Sequence, residues 1–204
     1  MGLLLDRKTA LIVVDLQNDF ADPEGSLYVP GAEQAVASIN GLLRQAREAG
    51  SFVVYTLDWH PPSTPHFKEA GGTWPPHCVR DTWGAQWVKG LYRVSPAVVI
   101  HKGMGEADGY SAFSEAPGSR PFGGMQDTGL DAMLRMLGVR RVVVSGLATD
   151  YCVKHTTLDA RRLQFETVVV EDAVRAVDLR PGDGAAALAQ MAREGATIAR
   201  AWDA

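Results

Sequence analysis

The sequence predicts an α/β fold built on a mostly parallel sheet. Short apolar runs rich in β-branched residues alternate along the chain with longer segments whose apolar residues recur at helical spacing. The first run, residues 9–14, is continuously apolar, as is typical of a strand covered on both faces. Strands that alternate with helices form βαβ units with right-handed crossovers. A chain of 204 residues is within the range of one large α/β domain, so we expect a single domain over residues 1–204.

Each further element has its own signal in the sequence. The helix predicted over residues 32–49 carries Val36, Ile39 and Leu43 on one face, and Gly50 ends it. Further strands are predicted over residues 51–57, 97–100, 141–145, 167–170 and 196–199. Further helices are predicted over residues 130–137, 149–163 and 183–193. Two long segments, residues 58–90 and 102–124, are rich in Pro and Gly and lack periodicity. Loops of that length in a domain are usually functional or disordered, and the aromatic residues and histidines in these two favour function. Both follow the carboxyl ends of predicted strands, where parallel sheets place their ligand sites.

Composition excludes several function classes. The net charge is −4, with 20 basic and 24 acidic residues, so there is no electrostatic footprint for nucleic acid or an anionic membrane. Two cysteines do not make a disulfide framework, which favours a reducing, cytoplasmic environment. The sequence shows neither a signal-peptide pattern nor an apolar run long enough to span a bilayer.

Cys152 stands where a buried strand turns into a helix. Residues 142–152 are typical of a strand, a tight turn and a helix start. Unpaired backbone N–H groups and the positive end of a helix dipole are expected there, and both favour a thiolate, which is the nucleophilic form of cysteine. The same N–H groups could hold the oxyanion formed by attack on a carbonyl. The alternative is a thiol that serves as a small buried hydrophobe.

Two charged residues are expected to lie near Cys152. Asp15 and Lys102 each end a predicted strand, and the carboxyl ends of parallel strands share one edge of the sheet. A carboxylate that accepts a proton, a cation that stabilises a thiolate or oxyanion, and a thiol together form a coherent nucleophilic site. The alternatives are an Asp that caps a turn and a solvated lysine. His155, three residues beyond Cys152 on the predicted helix, is a less favoured partner for the thiol.

The loop after the second strand predicts a metal site. It holds Asp58, His60, His66 and His77, and three of the five histidines of the chain therefore lie in this one segment. Carboxylate and imidazole ligands suit Zn, Fe or Mn, and the set resembles a catalytic rather than a structural site. Cys78 is interpreted as a packed thiol, because oxygen and nitrogen ligands already suffice.

These residues lie in sequence patterns that resemble the nicotinamidases of the isochorismatase-like cysteine hydrolase family. The matching stretches are residues 15–20, 58–60, 66–67, 74–78, 102–103, 108–113 and 146–153. The Asp, Lys and Cys elements mark the wider family. The Asp-x-His loop joined to Trp-Pro-Pro-His-Cys is more specific, because many relatives lack the metal.

The resemblance implies a fold, a reaction and a set of roles. The fold is a three-layer α/β/α structure with a six-stranded sheet, and the reaction hydrolyses nicotinamide to nicotinate and ammonia in NAD salvage, with pyrazinamide also expected as a substrate. The implied catalytic residues are Asp15, Lys102 and Cys152, and the implied ligands of one divalent ion are Asp58, His60, His66 and His77. The implied walls of the substrate pocket are Phe20, Trp74, Tyr110 and Leu147. A cis peptide between Leu147 and Ala148 would place the Ala148 N–H beside that of Cys152 as an oxyanion hole.

Other functions stay open at this point. The same fold and site could act on another small amide or a carbamoyl compound, although the metal loop and aromatic pocket disfavour carbamoyl substrates. A non-catalytic binding protein would have lost one of the three catalytic residues, and a redox sensor built on Cys152 would not need the metal loop. A small-molecule substrate is expected, and assembly into a homo-oligomer is left open.

Overall fold

A single six-stranded sheet runs through the computed structural model, which describes residues 5–106, 109–114 and 127–200. The strands are β1 Thr9–Val14, β2 Phe52–Asp58, β3 Val98–Lys102, β4 Arg141–Leu147, β5 Glu166–Arg175 and β6 Thr197–Ala199. Their order in the sheet is β3-β2-β1-β4-β5-β6, and every pairing is parallel. The predicted α/β class and six-stranded sheet are thus confirmed.

Helices connect these strands. They are α1 Asn18–Ala21, α2 Ala32–Ala49, α3 Leu130–Met136, α4 Lys154–Arg162 and α5 Asp183–Arg193. A π-helical turn, Thr149–Val153, precedes α4, so the single helix predicted over residues 149–163 is in fact a turn followed by a helix. The predicted bounds of α2 agree with the structure, where Gly50 adopts φ 69° and ends the helix in the left-handed conformation.

The apolar core lies on both faces of the sheet because side chains alternate along each strand. In β1, Leu11 and Val13 belong to a cluster that packs against α2, whereas Ile12 and Val14 belong to a cluster on the opposite face. The second cluster takes its helical partners from α3, α4 and α5, among them Leu134. The result is a sheet between two helical layers.

Sharp turns at the carboxyl edge of the sheet redirect the chain toward one point. Asp15, directly after β1, has φ 50°, a left-handed conformation that Asp tolerates better than most residues. Gly146 in β4 has φ 113°, and a Cβ there would meet the backbone oxygen of Val14 at 2.1 Å. Only glycine permits that approach of β4 to β1.

Some sequence-based interpretations lie outside the described residues. They concern Asp108 of the motif over residues 108–113 and residues 115–124 of the second long loop. Among the helices that the structure describes, none is both long enough and apolar enough to cross a membrane.

Candidate active site

The carboxyl edge of the sheet brings the three predicted catalytic residues into contact. Asp15 follows β1, Lys102 ends β3, and Cys152 lies in the π-helical turn after β4. The ammonium Nζ of Lys102 is 2.7 Å from Asp15 Oδ2 and 3.3 Å from Cys152 Sγ. All three residues are buried. A thiol, a carboxylate and a cation therefore share one water-poor site.

The neighbouring strand β2 holds the carboxylate of Asp15 in place. The Asp15 N–H donates to the carbonyl and to the hydroxyl oxygen of Thr56, each at 3.2 Å, and the Thr56 hydroxyl donates to Asp15 Oδ1. Asp15 Oδ1 thus faces Thr56 while Oδ2 faces Lys102. Both oxygens are oriented by groups on other strands.

Burial and neighbouring charges shift the proton affinities of this site. Burial raises the pKa of Asp15 from 3.8 to about 6, although Lys102 acts to lower it. Burial would lower the pKa of Lys102, but the Asp15 and Asp58 carboxylates outweigh burial and hold that pKa well above its usual value. The site at neutral pH therefore contains an ammonium and a carboxylate that can still accept a proton.

The thiol of Cys152 is protonated in the resting site. Burial raises its pKa well above the usual value, and the Asp15 and Asp58 carboxylates add to that rise while Lys102 opposes it. The sequence predicted that backbone N–H groups and a helix end would favour the thiolate. In the structure, burial and two carboxylates within 4.8 Å of the thiol outweigh those effects. A base must therefore remove the thiol proton when the nucleophile is needed.

The turn that carries Cys152 begins at Ala148. The Val153 N–H donates to the Ala148 carbonyl at 3.1 Å, which is an i to i−5 bond and defines the π-helical turn. The peptide between Leu147 and Ala148 is cis, as the resemblance implied. Neither the π-helical turn nor its length could be read from the sequence, because its residues have no distinctive pattern.

Three of the four predicted metal ligands form a buried cluster beside this thiol. One ligand atom from each of Asp58, His60 and His77 lies within 4.8 Å of the other two. The Nε2 atoms of His60 and His77 lie 3.7 Å and 4.0 Å from Asp58 Oδ2. Their Nδ1 atoms are 2.8 Å from the carbonyls of Gly103 and Pro75. Those carbonyls accept from Nδ1–H, which leaves the Nε2 lone pairs for a metal.

This donor set fits a divalent metal ion. One carboxylate and two neutral imidazoles suit Zn, Fe or Mn, and the hydrogen bonds to Gly103 and Pro75 fix the ring orientations as metal sites require. Burial lowers the pKa of His77, which keeps its imidazole in the neutral, ligating form. The fourth predicted ligand, His66, is buried beside His60 with a ring-centroid separation of 5.7 Å, but is not part of the three-residue cluster. Its role as a ligand remains a prediction.

Three consecutive polar residues fasten the long loop that carries these ligands, and sequence reasoning assigned them no role. Gln17 donates to the carbonyls of Asp58 and Ala85 and accepts from the Asp58 N–H. Asn18 donates to the Trp83 carbonyl at 2.8 Å. The carboxylate of Asp19 accepts from the backbone N–H groups of Ser26 and Cys78. The signal was a run of amide and acid side chains that begins two residues beyond Asp15, but their partners lie up to 68 residues away.

A small aromatic cavity opens onto the thiol and the metal cluster. Three of the predicted pocket residues, Phe20, Trp74 and Tyr110, line it, and Trp74 Nε1 donates to the Tyr110 hydroxyl at 3.0 Å. The residues that complete the lining are Leu27, Asp58, His77, Ala148, Tyr151, Cys152 and Val177. Tyr151 was not predicted as a wall; its ring meets that of Trp74 edge-on at 4.8 Å. The cavity therefore has aromatic walls and reaches both Cys152 and two of the clustered metal-ligand candidates, Asp58 and His77.

Leu147 does not reach this cavity. Leu147, the last residue of β4, is 1% exposed and packs in the apolar cluster on the α2 face of the sheet. The next residue, Ala148, lines the cavity instead. The substrate-binding role of Leu147 remains a prediction.

His155 and Cys78 are the less favoured candidates for a partner of the thiol and for a metal ligand, and the structure shows what each of them contacts. His155 stacks on Tyr110, with ring centroids 5.2 Å apart, whereas the thiol of Cys152 lies against Lys102. Cys78 is fully buried within the apolar core and its backbone N–H donates to Asp19, which agrees with the interpretation as a packed thiol.

A three-layer fold with a buried thiol, carboxylate and ammonium at the carboxyl edge of its parallel sheet defines the class of α/β cysteine hydrolases. The chain belongs to the isochorismatase family, since a model of the Isochorismatase domain matches residues 9–203. It is 38% identical over 205 residues to the nicotinamidase of Escherichia coli, with 93% of each chain covered.

Two solved structures show the same architecture. The pyrazinamidase of Pyrococcus horikoshii in complex with zinc is 38% identical, with a TM-score of 0.83 and coverage of 95% of this chain and 99% of that one. PnC1 from L. infantum in complex with nicotinate is 37% identical, with a TM-score of 0.87 and coverage of 98% of this chain and 96% of that one.

Proposed function

We propose that this chain is a metal-dependent cysteine amidohydrolase that converts nicotinamide to nicotinate and ammonia. The observation that carries the proposal is the contact of Cys152, Lys102 and Asp15 beside an aromatic cavity whose lining includes Cys152, Asp58 and His77. Nicotinamide has a flat ring, a carboxamide for the thiol and a ring nitrogen for the metal side. The similarity to a nicotinamidase and to a nicotinate-bound structure supports this assignment.

Acylation begins with proton transfer to Asp15. Its pKa of about 6 leaves the carboxylate ionised at neutral pH yet basic enough to accept the thiol proton. Lys102, 3.3 Å from the sulfur, stabilises the thiolate as it forms. The sulfur then attacks the carboxamide carbon, which forms a C–S bond and places negative charge on the amide oxygen. In our proposal that oxygen accepts from the backbone N–H groups of Ala148 and Cys152.

Asp15 also serves the second half of the reaction. The tetrahedral intermediate collapses with cleavage of the C–N bond, and Asp15 returns its proton to the nitrogen, which leaves as ammonia. A water molecule then loses a proton to Asp15 and attacks the thioester carbon. The C–S bond breaks, the sulfur of Cys152 regains its proton from Asp15, and the product leaves as nicotinic acid, which ionises to nicotinate at neutral pH.

The metal is assigned a binding role. Asp58, His60 and His77 would hold it, with His66 as a further proposed ligand. When bound, the ion supplies a Lewis-acidic centre that can hold the ring nitrogen of the substrate. Zn, Fe and Mn all suit these ligands, and the zinc complex of the similar pyrazinamidase supports zinc.

We further propose a second substrate and a cellular location for the enzyme. Pyrazinamide has the same carboxamide and a ring nitrogen in the same position, so we propose it as a second substrate. We also propose a cytoplasmic location, which the two free cysteines support. Homo-oligomer formation stays open.

Ammonia release from nicotinamide tests the proposed function. The metal-stripped protein should release little ammonia, and reconstitution with Zn, Fe or Mn should restore release with nicotinate formed in equal amount. Release from a carbamoyl compound but not from nicotinamide would overturn the assignment of substrate, and full activity after thorough chelation would overturn the role of the metal.

A further inference from the structure

A second buried carboxylate lies in the turn that carries the nucleophile. Asp150 belongs to the π-helical turn Thr149–Val153 and is only 3% exposed. In sequence it stands between Ala148 and Cys152, whose N–H groups form the proposed oxyanion hole. Asp150 takes no part in the proposed proton transfers. A buried carboxylate is costly unless its oxygens are hydrogen-bonded, so the partners of Asp150 indicate its purpose.

Those partners lie in the loop that follows β5. Asp150 Oδ1 accepts from the Val177 N–H at 3.0 Å, and Oδ2 accepts from the Asp178 N–H at 2.9 Å. Two successive backbone N–H groups thus point at one carboxylate, a local arrangement that binds anions well. Asp178 has φ 52° and itself accepts from the Gly184 N–H at 2.7 Å, which ties the loop to the first turn of α5.

The residue held in this way forms part of the cavity wall. Val177 lines the cavity together with Cys152, Tyr151 and Ala148. It comes from the loop after β5, whereas the other three come from the turn after β4. The two hydrogen bonds of Asp150 connect those two elements, so they set the separation between the Val177 wall and the nucleophile.

We infer that Asp150 is a positioning residue that fixes Val177 against the substrate ring and thereby determines the fit of the cavity. This inference rests on the proposed function, because the substrate it positions is nicotinamide. The turn itself is also held by the hydrogen bond from Val153 to Ala148, so loss of the Asp150 contacts acts mainly on the wall. Substrate binding is therefore affected more than the chemical step.

Asp150→Asn keeps the size of the side chain but turns one acceptor into a donor that faces a backbone N–H. We expect the KM for nicotinamide to rise by about tenfold or more, because the loss of a buried charged hydrogen bond releases Val177 from its place in the cavity wall. The value of kcat should change by less than about threefold. Val177→Ala alone should also raise KM. In the Val177→Ala background, Asp150→Asn should raise KM by less than about threefold, because the wall it positions is already gone.

Asp131→Asn is the matched control, since it removes a carboxylate from the Arg135 ion pair on α3 and should leave KM unchanged. Asp150→Ser, which keeps one acceptor, serves as the second variant if Asp150→Asn does not fold, and the same rise in KM is expected. Equal effects of the Asp150 variant with and without Val177, or a loss confined to kcat or to the unfolding temperature, would overturn the inference alone. A wild-type protein that releases no ammonia from nicotinamide would overturn the proposed function, and the inference with it.

Discussion

Asp58 and Lys102 are paired across the register of β2 and β3 and form a buried ion pair at the carboxyl edge of the sheet. Asp58 Oδ1 accepts from the Lys102 ammonium, while Oδ2 faces the imidazoles of His60 and His77. Burial would raise the pKa of Asp58, but Lys102 and His60 outweigh burial and lower that pKa below its usual range. One carboxylate thus belongs both to the nucleophilic site and to the metal site.

The nucleophile is the first assignment to test. Cys152→Ala should abolish ammonia release with little change in the unfolding temperature, because it removes one small side chain at the edge of the core. Intact-mass analysis with nicotinaldehyde should locate an adduct on Cys152. An adduct on Cys78, together with retained activity of Cys152→Ala, would show that the assignment is wrong.

The metal ligands predict a stoichiometry that elemental analysis measures. We expect about one divalent ion per chain, of Zn, Fe or Mn. His60→Ala and His77→Ala should each lose most of the bound metal and the hydrolysis of nicotinamide, because each removes an imidazole from the buried cluster. His101→Ala is the control, since His101 is an exposed residue of β3 whose ring lies tilted against that of Trp59, outside the buried cluster. Unchanged metal content in both cluster variants would contradict the site.

The sequence predicted those features of the fold that depend on local pattern. Continuous apolar runs marked β1 and β4, and helical spacing with a terminal glycine marked α2. The predicted strand over residues 167–170 was too short, because β5 continues past Glu171 and Asp172 to Arg175. The charged residues Glu171 and Asp172 interrupt the apolar pattern of β5, although its backbone pairing with β4 resumes at Val174.

The sequence predicted the site residues that lie at strand ends. It did not reveal the residues whose role depends on hydrogen bonds to distant backbone groups. Asp15, Lys102 and Cys152 follow from the geometry of a parallel sheet. Gln17 and Asp150 act through backbone groups 41 and 27 residues or more away, and no local pattern encodes those contacts.

Lys102 is expected to stabilise the fold as well as the reaction. Lys102→Met keeps much of the volume but leaves the Asp15 and Asp58 carboxylates without their cation. Breaking a buried ion pair in this way costs about 3–5 kcal/mol of unfolding free energy, and urea denaturation at neutral pH measures the loss. Adding Asp15→Asn removes one uncompensated charge and should restore part of the stability. A double variant less stable than Lys102→Met would contradict this account.

Asp15 and His155 are alternative bases for the thiol, and matched substitutions separate them. Asp15→Asn keeps the shape but accepts no proton, so acylation and thioester hydrolysis should both slow by at least about 10²-fold. His155→Ala removes a ring that stacks on Tyr110 and should have a mild effect. Single-turnover kinetics with nicotinamide follow both steps. If His155→Ala is the inactive variant and Asp15→Asn retains most activity, the site uses a Cys–His pair instead.

The raised pKa of Asp15 predicts the acidic limb of the pH profile. Asp15 is the acceptor of the thiol proton only when ionised, and burial raises its pKa from 3.8 to about 6. The value of kcat/KM for nicotinamide should therefore be constant above that pH and fall about tenfold per unit below it. The Thr56 hydroxyl donates to Asp15 and lowers its pKa, so Thr56→Val, of nearly equal volume, should move the limb to higher pH. Initial rates measured across the pH range, with the metal held saturating, give the acidic limb of the wild-type protein and that of Thr56→Val. A limb that is unchanged in Thr56→Val, or one that moves to lower pH, would show that another group sets the profile.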